Sequence, residues 1–286
     1  MKSLFSRFST SFLEDFNQPF AVSVFCKAIV AYSVLRLVLV WPVVEIISQQ
    51  PLFDYPTAFK AKYFFIPGLL AESSIQLFMG LCVLVWSAAL WVRWNYVSAF
   101  LFFWLNLNLY RIDHPIVNGA DIVVVMLSVW MMGMARWPLF QNVKGLQVIL
   151  SNTCVLFAKF QVAFMYLISG WDKLITPSWR SGQAFEYIRH IDLFNPAFSG
   201  VLSQESIQVA LSWATIAFEL AFPVGVWFER SRLLFLILGV AFHLAIAFML
   251  NLPDFGLVMI LSYLVFLKDS DFTRMKNLFT LKQPQP

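Results

Sequence analysis

Charged residues are scarce in this chain. Only 13% of its 286 residues are Asp, Glu, Lys or Arg, against roughly 25% in soluble globular domains. The hydrophobic fraction is 60%, with 31 Phe and 11 Trp, so polar side chains are too few to cover a water-soluble fold of this length. The composition therefore excludes soluble, disordered and fibrous classes and predicts a polytopic membrane protein.

Cysteine is scarce as well, and several common catalytic motifs do not occur. The cysteines Cys26, Cys82 and Cys154 lie far apart without C-x-x-C spacing, so we predict buried thiols, no metal site and no disulfide framework. The signatures H-E-x-x-H, G-x-S-x-G and G-K-[ST] do not occur, which leaves zincin, serine-hydrolase and P-loop chemistry without support. The net charge of +4 comes from scattered Lys and Arg, which form no stripe that could bind nucleic acid.

Long apolar stretches dominate the sequence instead. A membrane-spanning helix needs about 17–25 mostly apolar residues, and eight stretches of the chain are candidates. We therefore predict an all-α polytopic membrane bundle of about eight transmembrane helices. The candidate stretches are residues 20–47, 69–92, 96–110, 121–137, 148–170, 207–228, 233–250 and 255–267.

Three segments are predicted along the chain. Residues 1–19 carry phenylalanines at helical spacing, which indicates an amphipathic interfacial helix, the alternative being a frayed terminus. Residues 20–267 form the transmembrane domain and residues 268–286 a tail. Lys and Arg are more frequent on the side that carries the N-terminus, so both termini are expected in the cytoplasm of the cell membrane. The long connection 171–206 is expected to cover the outer mouth of the bundle.

Ionisable residues inside predicted spans are costly and are candidates for function. Counted from the outer span ends at 1.5 Å per residue, Arg36, Lys159 and Glu219 all fall near the middle of the bilayer. We interpret them as structural charges, with Glu219 neutralising Lys159 or Arg36. The alternative is a proton or ion relay through the same residues.

A second group of ionisable residues is predicted near the outer surface. Lys173 directly follows the fifth span, where partial desolvation would supply a neutral amine that acts as a base. The alternative is a snorkelling lysine paired with Asp172. His243 is a histidine within a span, which suits either a catalytic partner or a helix-packing residue. The group consists of Glu45, Asp113, His114, Asp121, Asp172, Lys173, His190 and His243.

From these observations we select candidate site residues. The catalytic candidates are Lys173 and His243. The candidate substrate-binding residues are Trp179, Asp121, His114 and Asp172.

A family resemblance rests on an ordered set of short motifs. The run YLISGWDKL at residues 166–174 is the most specific of them. It is followed by Trp179, Gly182, Glu186-Tyr187, Phe218-Glu219, Phe242-His243 and Asp254-Phe255, and preceded by Leu35-Arg36-Leu37. This order resembles the horizontally transferred transmembrane (HTTM) domain, the membrane domain of vitamin K-dependent gamma-carboxylases.

The resemblance implies a role for Lys173. In the carboxylases, the matching lysine is the base in a reaction that turns vitamin K hydroquinone into a strongly basic species, which deprotonates peptidyl glutamate for carboxylation. An Asn-His pair of that family stands here as Asn118-Gly119, and we expect no counterpart of the large extramembrane region after residue 267. Small stand-alone relatives include bacterial proteins that mature secreted peptide toxins, which this chain resembles more in size.

Three functions follow as hypotheses. The first is an enzyme that modifies or matures a secreted peptide, or acts on a lipophilic quinone-like molecule, at the outer membrane face. The second is a non-enzymatic scaffold or immunity partner for a secreted peptide. A transporter is less favoured, because the sequence shows no convincing inverted repeat. The expected partners are membrane lipid and a secreted peptide, and the expected cofactor, by resemblance, is a quinone or a vitamin K-like hydroquinone.

Overall fold

The computed structural model describes residues 15–48, 75–112, 118–135, 144–191 and 195–280. All regular structure in these ranges is helical, and no β-strand occurs among them. The α-helices are α1 (Pro19–Ser48), α2 (Ile75–Trp91), α3 (Tyr96–Ile112), α4 (Gly119–Met134), α5 (Lys144–Ile175), α6 (Pro177–Arg180), α7 (Gln183–Ile188), α8 (Glu205–Gly225), α9 (Glu229–Met249), α10 (Pro253–Ser262) and α11 (Asp269–Thr280). Short 3-10 helices cover Pro196–Phe198, Val201–Ser203 and Tyr263–Phe266.

The predicted all-α membrane bundle is confirmed. Within the described ranges, α1, α5, α8 and α9 are long and apolar enough to cross a membrane, and α2, α3, α4 and the Pro253–Phe266 segment are shorter apolar helices. The chain therefore places a helix in each of the eight apolar stretches. The eighth is an α-helix up to Ser262 and a 3-10 helix beyond it.

The chain divides into two compact units. The first contains Met1–Phe157 and Leu267–Pro286, and the second contains Ala158–Phe266. The long helix α5 contributes its first part to the first unit and its second part to the second. Each unit has its own buried core and its own buried ion pair.

In the first unit, aromatic side chains pack between α2 and α3. Trp86 lies edge-on to Phe102 at 5.3 Å between ring centroids, and both side chains are fully buried. The start of α1 is held by the carboxylate of Asp269, which accepts hydrogen bonds from the backbone N–H groups of Phe20 and Ala21 at 3.3 and 2.8 Å. Helix α11, in the segment expected to be a tail, thus caps the first helix.

The buried ion pair of the first unit joins α1 to α4. Nη2 of Arg36 lies 2.7 Å from Oδ2 of Asp121, and the two side chains are 6% and 14% exposed. The same carboxylate oxygen accepts a 2.8 Å hydrogen bond from the backbone N–H of Asn118, whose own side chain caps α4. Asp121 therefore neutralises a buried guanidinium and closes a helix N-terminus at once.

In the second unit, the connection predicted over residues 171–206 is largely helical. Helix α5 continues to Ile175, and α6 and α7 then turn back along α8. The turn depends on Gly182, which has a φ of 82° and lies so close to α8 that a Cβ would stand 2.7 Å from the backbone nitrogen of Val209. Only glycine fits both the left-handed conformation and this close approach.

Asp121→Asn is expected to destabilise the first unit. The change leaves the Arg36 guanidinium buried without its counter-charge, which costs about 3 kcal/mol for a broken buried pair. The thermal midpoint of the purified protein in detergent should fall well below that of the wild type. Asp172→Asn, at an exposed position, is the matched control and should leave the midpoint unchanged. Equal midpoints for the two variants would contradict the structural role of the pair.

Candidate functional site

The second unit contains a cavity of about 310 Å³, here called the apolar cavity. Its wall is formed by aromatic and aliphatic side chains from α5 to α9, and Lys173 and Glu219 are the charged residues in it. Such a lining is typical of sites for lipophilic ligands with one polar group. The residues around it are Lys173, Trp179, Phe185, Ile188, Leu202, Leu211, Thr215, Glu219, Phe242, Ala245, Ile246, Met249 and Leu250.

Lys173 and Glu219 form an ion pair at this cavity. Nζ of Lys173 lies 3.0 and 2.9 Å from the two carboxylate oxygens of Glu219 and donates a further 2.5 Å hydrogen bond to Oγ of Ser169. The Ser169 hydroxyl in turn donates to Oε1 of Glu219 at 3.2 Å. The Lys173 side chain is 16% exposed and that of Glu219 is 6% exposed, so the pair is partly desolvated and each charge depends on the other.

Helical spacing on α5 and a glycine on its inner face produce this geometry. Ser169 and Lys173 are four residues apart and so share one face of the helix. Between them, Gly170 meets α8 so closely that a Cβ would lie 2.9 Å from Cβ of Glu219 and 3.1 Å from Leu220. The missing side chain lets α8 approach far enough for the carboxylate to receive the Lys173 ammonium.

This pairing differs from the one predicted for Glu219. The carboxylate binds Lys173 and not Lys159 or Arg36, and Arg36 forms its salt bridge with Asp121. Lys159 precedes Lys173 by fourteen residues on the same helix, about 21 Å at 1.5 Å per residue, too far for one carboxylate to reach both. The prediction measured the depth of each residue as if the outer ends of all spans lay at the same height in the membrane. Helix α5 is 32 residues long and α8 is 21, so their ends need not align.

Trp179 of α6 covers the charged end of the apolar cavity. Its ring centroid lies 5.0 Å from Nζ of Lys173, a cation–π distance. The ring also packs edge-on against Phe185 at 5.8 Å. The candidate Trp179 therefore lines the cavity beside the candidate Lys173.

Two of the other candidate substrate-binding residues, Asp172 and Asp121, do not line this cavity. Asp172 is exposed, because successive residues of a helix point about 100° apart. Lys173, whose pairing with Asp172 was the alternative interpretation, binds Glu219 instead. Asp121 belongs to the first unit. His114 lies outside the described residues, as do Asp113 and the side chain of Glu45.

His243 lies in a buried cluster behind the cavity wall. Its Nε2 is hydrogen-bonded to the hydroxyl of Tyr166, which also bonds to the hydroxyl of Tyr263. The ring is 2% exposed and does not line the apolar cavity, although its neighbour Phe242 does. Among the described residues, its Nδ1 has no hydrogen-bond partner. The structure thus makes His243 a neighbour of the site rather than part of its wall.

Further residues of the site follow from spacing that the sequence analysis did not use. Tyr166, Ser169 and Lys173 stand at positions i, i+3 and i+7 of α5, which places them on one face. This face of α5 therefore carries both Lys173, which belongs to the ion pair, and Tyr166, which belongs to the tyrosine cluster. Helical periodicity within the YLISGWDKL run was the signal that could have identified Ser169 and Tyr166.

A polar network fastens α7 to α8 next to the cavity. The carboxylate of Glu186 accepts hydrogen bonds from Nε of Arg189 at 2.7 Å and from Nε2 of Gln208 at 2.8 Å. These bonds, that of Arg189 foremost, lower the pKa of the Glu186 carboxyl to about 2. His190, a member of the predicted outer group, contacts the same carboxylate at 3.1 Å. The network keeps α7, which carries Phe185 and Ile188, against the cavity.

The arrangement can bind a polar group and exchange a proton with it. Lys173 presents an ammonium and Glu219 a carboxylate at the end of an otherwise apolar wall. In such a medium, proton transfer within the pair yields a neutral amine and a neutral acid, which avoids the cost of separated charges. The pair can therefore donate a proton to a ligand through Lys173 or accept one through either group.

Comparison with known proteins identifies a family. The model of the HTTM domain matches residues 18–270, a range that includes every residue of the apolar cavity. No curated protein and no solved structure matches the chain.

Gly170→Ala is expected to disturb the site more than the same change elsewhere on α5. The added Cβ would meet Glu219 and Leu220 at 2.9 and 3.1 Å, so α5 and α8 must move apart, at a cost of about 1–3 kcal/mol. The readout is the thermal midpoint in detergent. Gly145→Ala, whose Cβ would meet no atom within 4 Å, is the matched control. If both changes lowered the midpoint equally, the close approach of α5 and α8 at Gly170 would not be the cause of the lost stability.

A double-mutant cycle should show that Lys173 and Glu219 stabilise each other. Lys173→Met and Glu219→Leu each leave a partly buried charge unpaired and should each cost about 3 kcal/mol. The double variant removes both charges and should be less destabilised than the sum of the single changes. The free energies of unfolding of the three variants and the wild type give the coupling energy. Additive effects would mean that the pair contributes no coupling.

Proposed function

This chain belongs to the HTTM domain family, and we propose that it is a membrane enzyme that binds a lipophilic, quinol-like molecule in the apolar cavity. The ion pair of Lys173 and Glu219 handles the proton of the ligand hydroxyl. The observation that carries the proposal is the position of this pair at one end of an otherwise apolar wall.

The wall suits an apolar ligand with one polar end. Ligand cavities commonly have volumes of about 300–1,000 Å³, and the apolar cavity, at about 310 Å³, accommodates a single ring system with a short tail. Trp179, Phe185 and Phe242 supply aromatic faces for ring stacking. A charged or strongly hydrated substrate would lose its hydration without compensation along most of this wall.

The residues at the charged end of the apolar cavity have different roles toward the hydroxyl of a bound hydroquinone. When bound, a hydroquinone supplies an acidic phenolic hydroxyl and two electrons. Glu219 accepts a hydrogen bond from that hydroxyl, and Lys173 stabilises the negative charge that develops on the oxygen or takes up its proton after passing its own to Glu219. Ser169 orients both groups, and Trp179 excludes water from them. Lys173 is thus the base that the family resemblance implies, with Glu219 as its partner.

The proposal includes a wider role for this chemistry. We propose that this chemistry serves the modification or maturation of a secreted peptide at the outer membrane face, with both termini of the chain in the cytoplasm. The support for it is the family resemblance together with the bias in Lys and Arg. Under this hypothesis His243 assists from behind the wall by fixing Tyr166 on the face of α5 that carries Lys173.

A binding measurement tests the proposal. The full-length protein in detergent is titrated with a short-tailed menaquinol and with the matching menaquinone, and quenching of tryptophan fluorescence reports binding. Loss of a hydrogen bond to a charged group costs about tenfold in affinity. Lys173→Gln and Glu219→Gln should therefore weaken menaquinol binding by about tenfold and menaquinone binding less.

Arg180→Gln is the matched control. Arg180 is an exposed cation on α6 that does not line the apolar cavity, so its loss should leave both affinities unchanged. Thermal midpoints identify variants that fail to fold. Absence of quinol binding by the wild type, or equal binding by all folded variants, would reject the proposal and favour the non-enzymatic scaffold.

A further inference from the structure

A second cavity, in the first unit, has a different chemistry. It has a volume of about 220 Å³, and it is here called the basic cavity. Its wall includes the cations Lys27 and Arg93 and the polar residues Asn17, Ser23 and Ser151. No Asp or Glu is among the described residues of its wall.

The two cations carry no partner in the part of the chain that the structure describes. Lys27 is half-buried on α1, about 12 Å from the helix start at 1.5 Å per residue, and no ion pair neutralises it. Arg93 follows the end of α2 and is likewise outside every ion pair of the described residues. A half-buried cation in a membrane helix is costly when unpaired and marks a binding site by default.

The walls of the basic cavity are fastened in place. Nε1 of Trp94 donates a 3.1 Å hydrogen bond to the carbonyl of Met131, which anchors the residue next to Arg93. Next to the wall residue Ser151, the side chain of Asn152 accepts a hydrogen bond from the backbone N–H of the wall residue Asn17 at 2.7 Å and donates one to the carbonyl of Asp15 at 2.8 Å. The segment before α1 is therefore held against α5, and the cavity is built from fixed elements.

From this geometry we propose that the basic cavity binds a phosphate group. An ammonium and a guanidinium supply up to eight N–H donors, the serine hydroxyls add further donors, and the volume exceeds that of several waters at about 30 Å³ each. Basic pockets between membrane helices commonly hold lipid headgroups. The occupant is the phosphodiester of an anionic phospholipid or a free phosphate. The site shares no residue with the apolar cavity, so it stands independently of the proposed function.

The first test uses phospholipids. The full-length protein in detergent is titrated with phosphatidylglycerol or phosphatidylcholine, and native mass spectrometry counts the bound lipids. The wild type should prefer phosphatidylglycerol. Lys27→Gln and Arg93→Gln should each weaken its binding by about tenfold, the effect of losing one hydrogen bond to a charged group.

In the second test, inorganic phosphate replaces the lipid. Calorimetry measures the heat of phosphate binding to the wild type and to the same variants. Phosphatidylglycerol binding that depends on Lys27 and Arg93, with no heat from phosphate, identifies the headgroup as the occupant. Phosphate binding that depends on both cations, with no lipid preference, identifies the free anion. Either result supports the site.

Two further variants keep the test decisive. Lys27→Arg retains the charge and should retain binding, which separates loss of the site from loss of the fold. Arg230→Gln removes an exposed cation of the second unit and should change nothing. The proposal is overturned if the Lys27→Gln/Arg93→Gln double variant binds as the wild type does, or if the wild type binds neither anion.

Discussion

The ion pair between Lys173 and Glu219 is the interaction on which the second unit depends. Two charges at the edge of an apolar interior are stable there only when each has the other within hydrogen-bonding distance. This requirement determines the contact of α5 with α8. The contact in turn needs Gly170, because any side chain at that position would separate the two helices.

The same pair gives the apolar cavity its chemical character. A wall of aromatic and aliphatic side chains selects by shape and by exclusion of water, and such a wall alone has no means of moving a proton. The ion pair places one donor and one acceptor at its end, with Ser169 orienting both. A structural necessity and the proposed reactive group are therefore the same pair of residues, so we expect mutations here to affect stability and ligand binding together.

Two cations on α1 in the first unit, Arg36 and Lys27, differ in whether an ion pair among the described residues neutralises them. Arg36 is neutralised by Asp121, so its charge serves the packing of α1 against α4. Lys27, on the same helix, faces a cavity that offers further cation and hydroxyl groups but no carboxylate among its described residues. A charge with an internal partner contributes to the fold, and a charge that lacks one is available to a ligand.

The sequence alone determined the class of the fold and the positions of its helices. Hydrophobicity and span length are local properties, so eight apolar stretches predicted eight helices, and the YLISGWDKL run identified the family that the model of the HTTM domain confirms. The sequence also singled out Lys173 and Glu219, because ionisable residues in apolar surroundings are conspicuous, and it singled out Trp179 through the motifs of the family resemblance.

Only the tertiary structure decided which of these residues meet. Helix lengths do not reveal how far one helix is shifted along another, so the predicted pairing of Glu219 with Lys159 or Arg36 was wrong. Glu219 pairs with Lys173. Lys173 in turn does not pair with Asp172, which was the alternative interpretation. His243 was conspicuous for the same reason as Lys173, yet it lies behind the cavity wall. Side-chain partners depend on the register and close approach of helices that are distant in sequence, and here a glycine on α5 sets that approach.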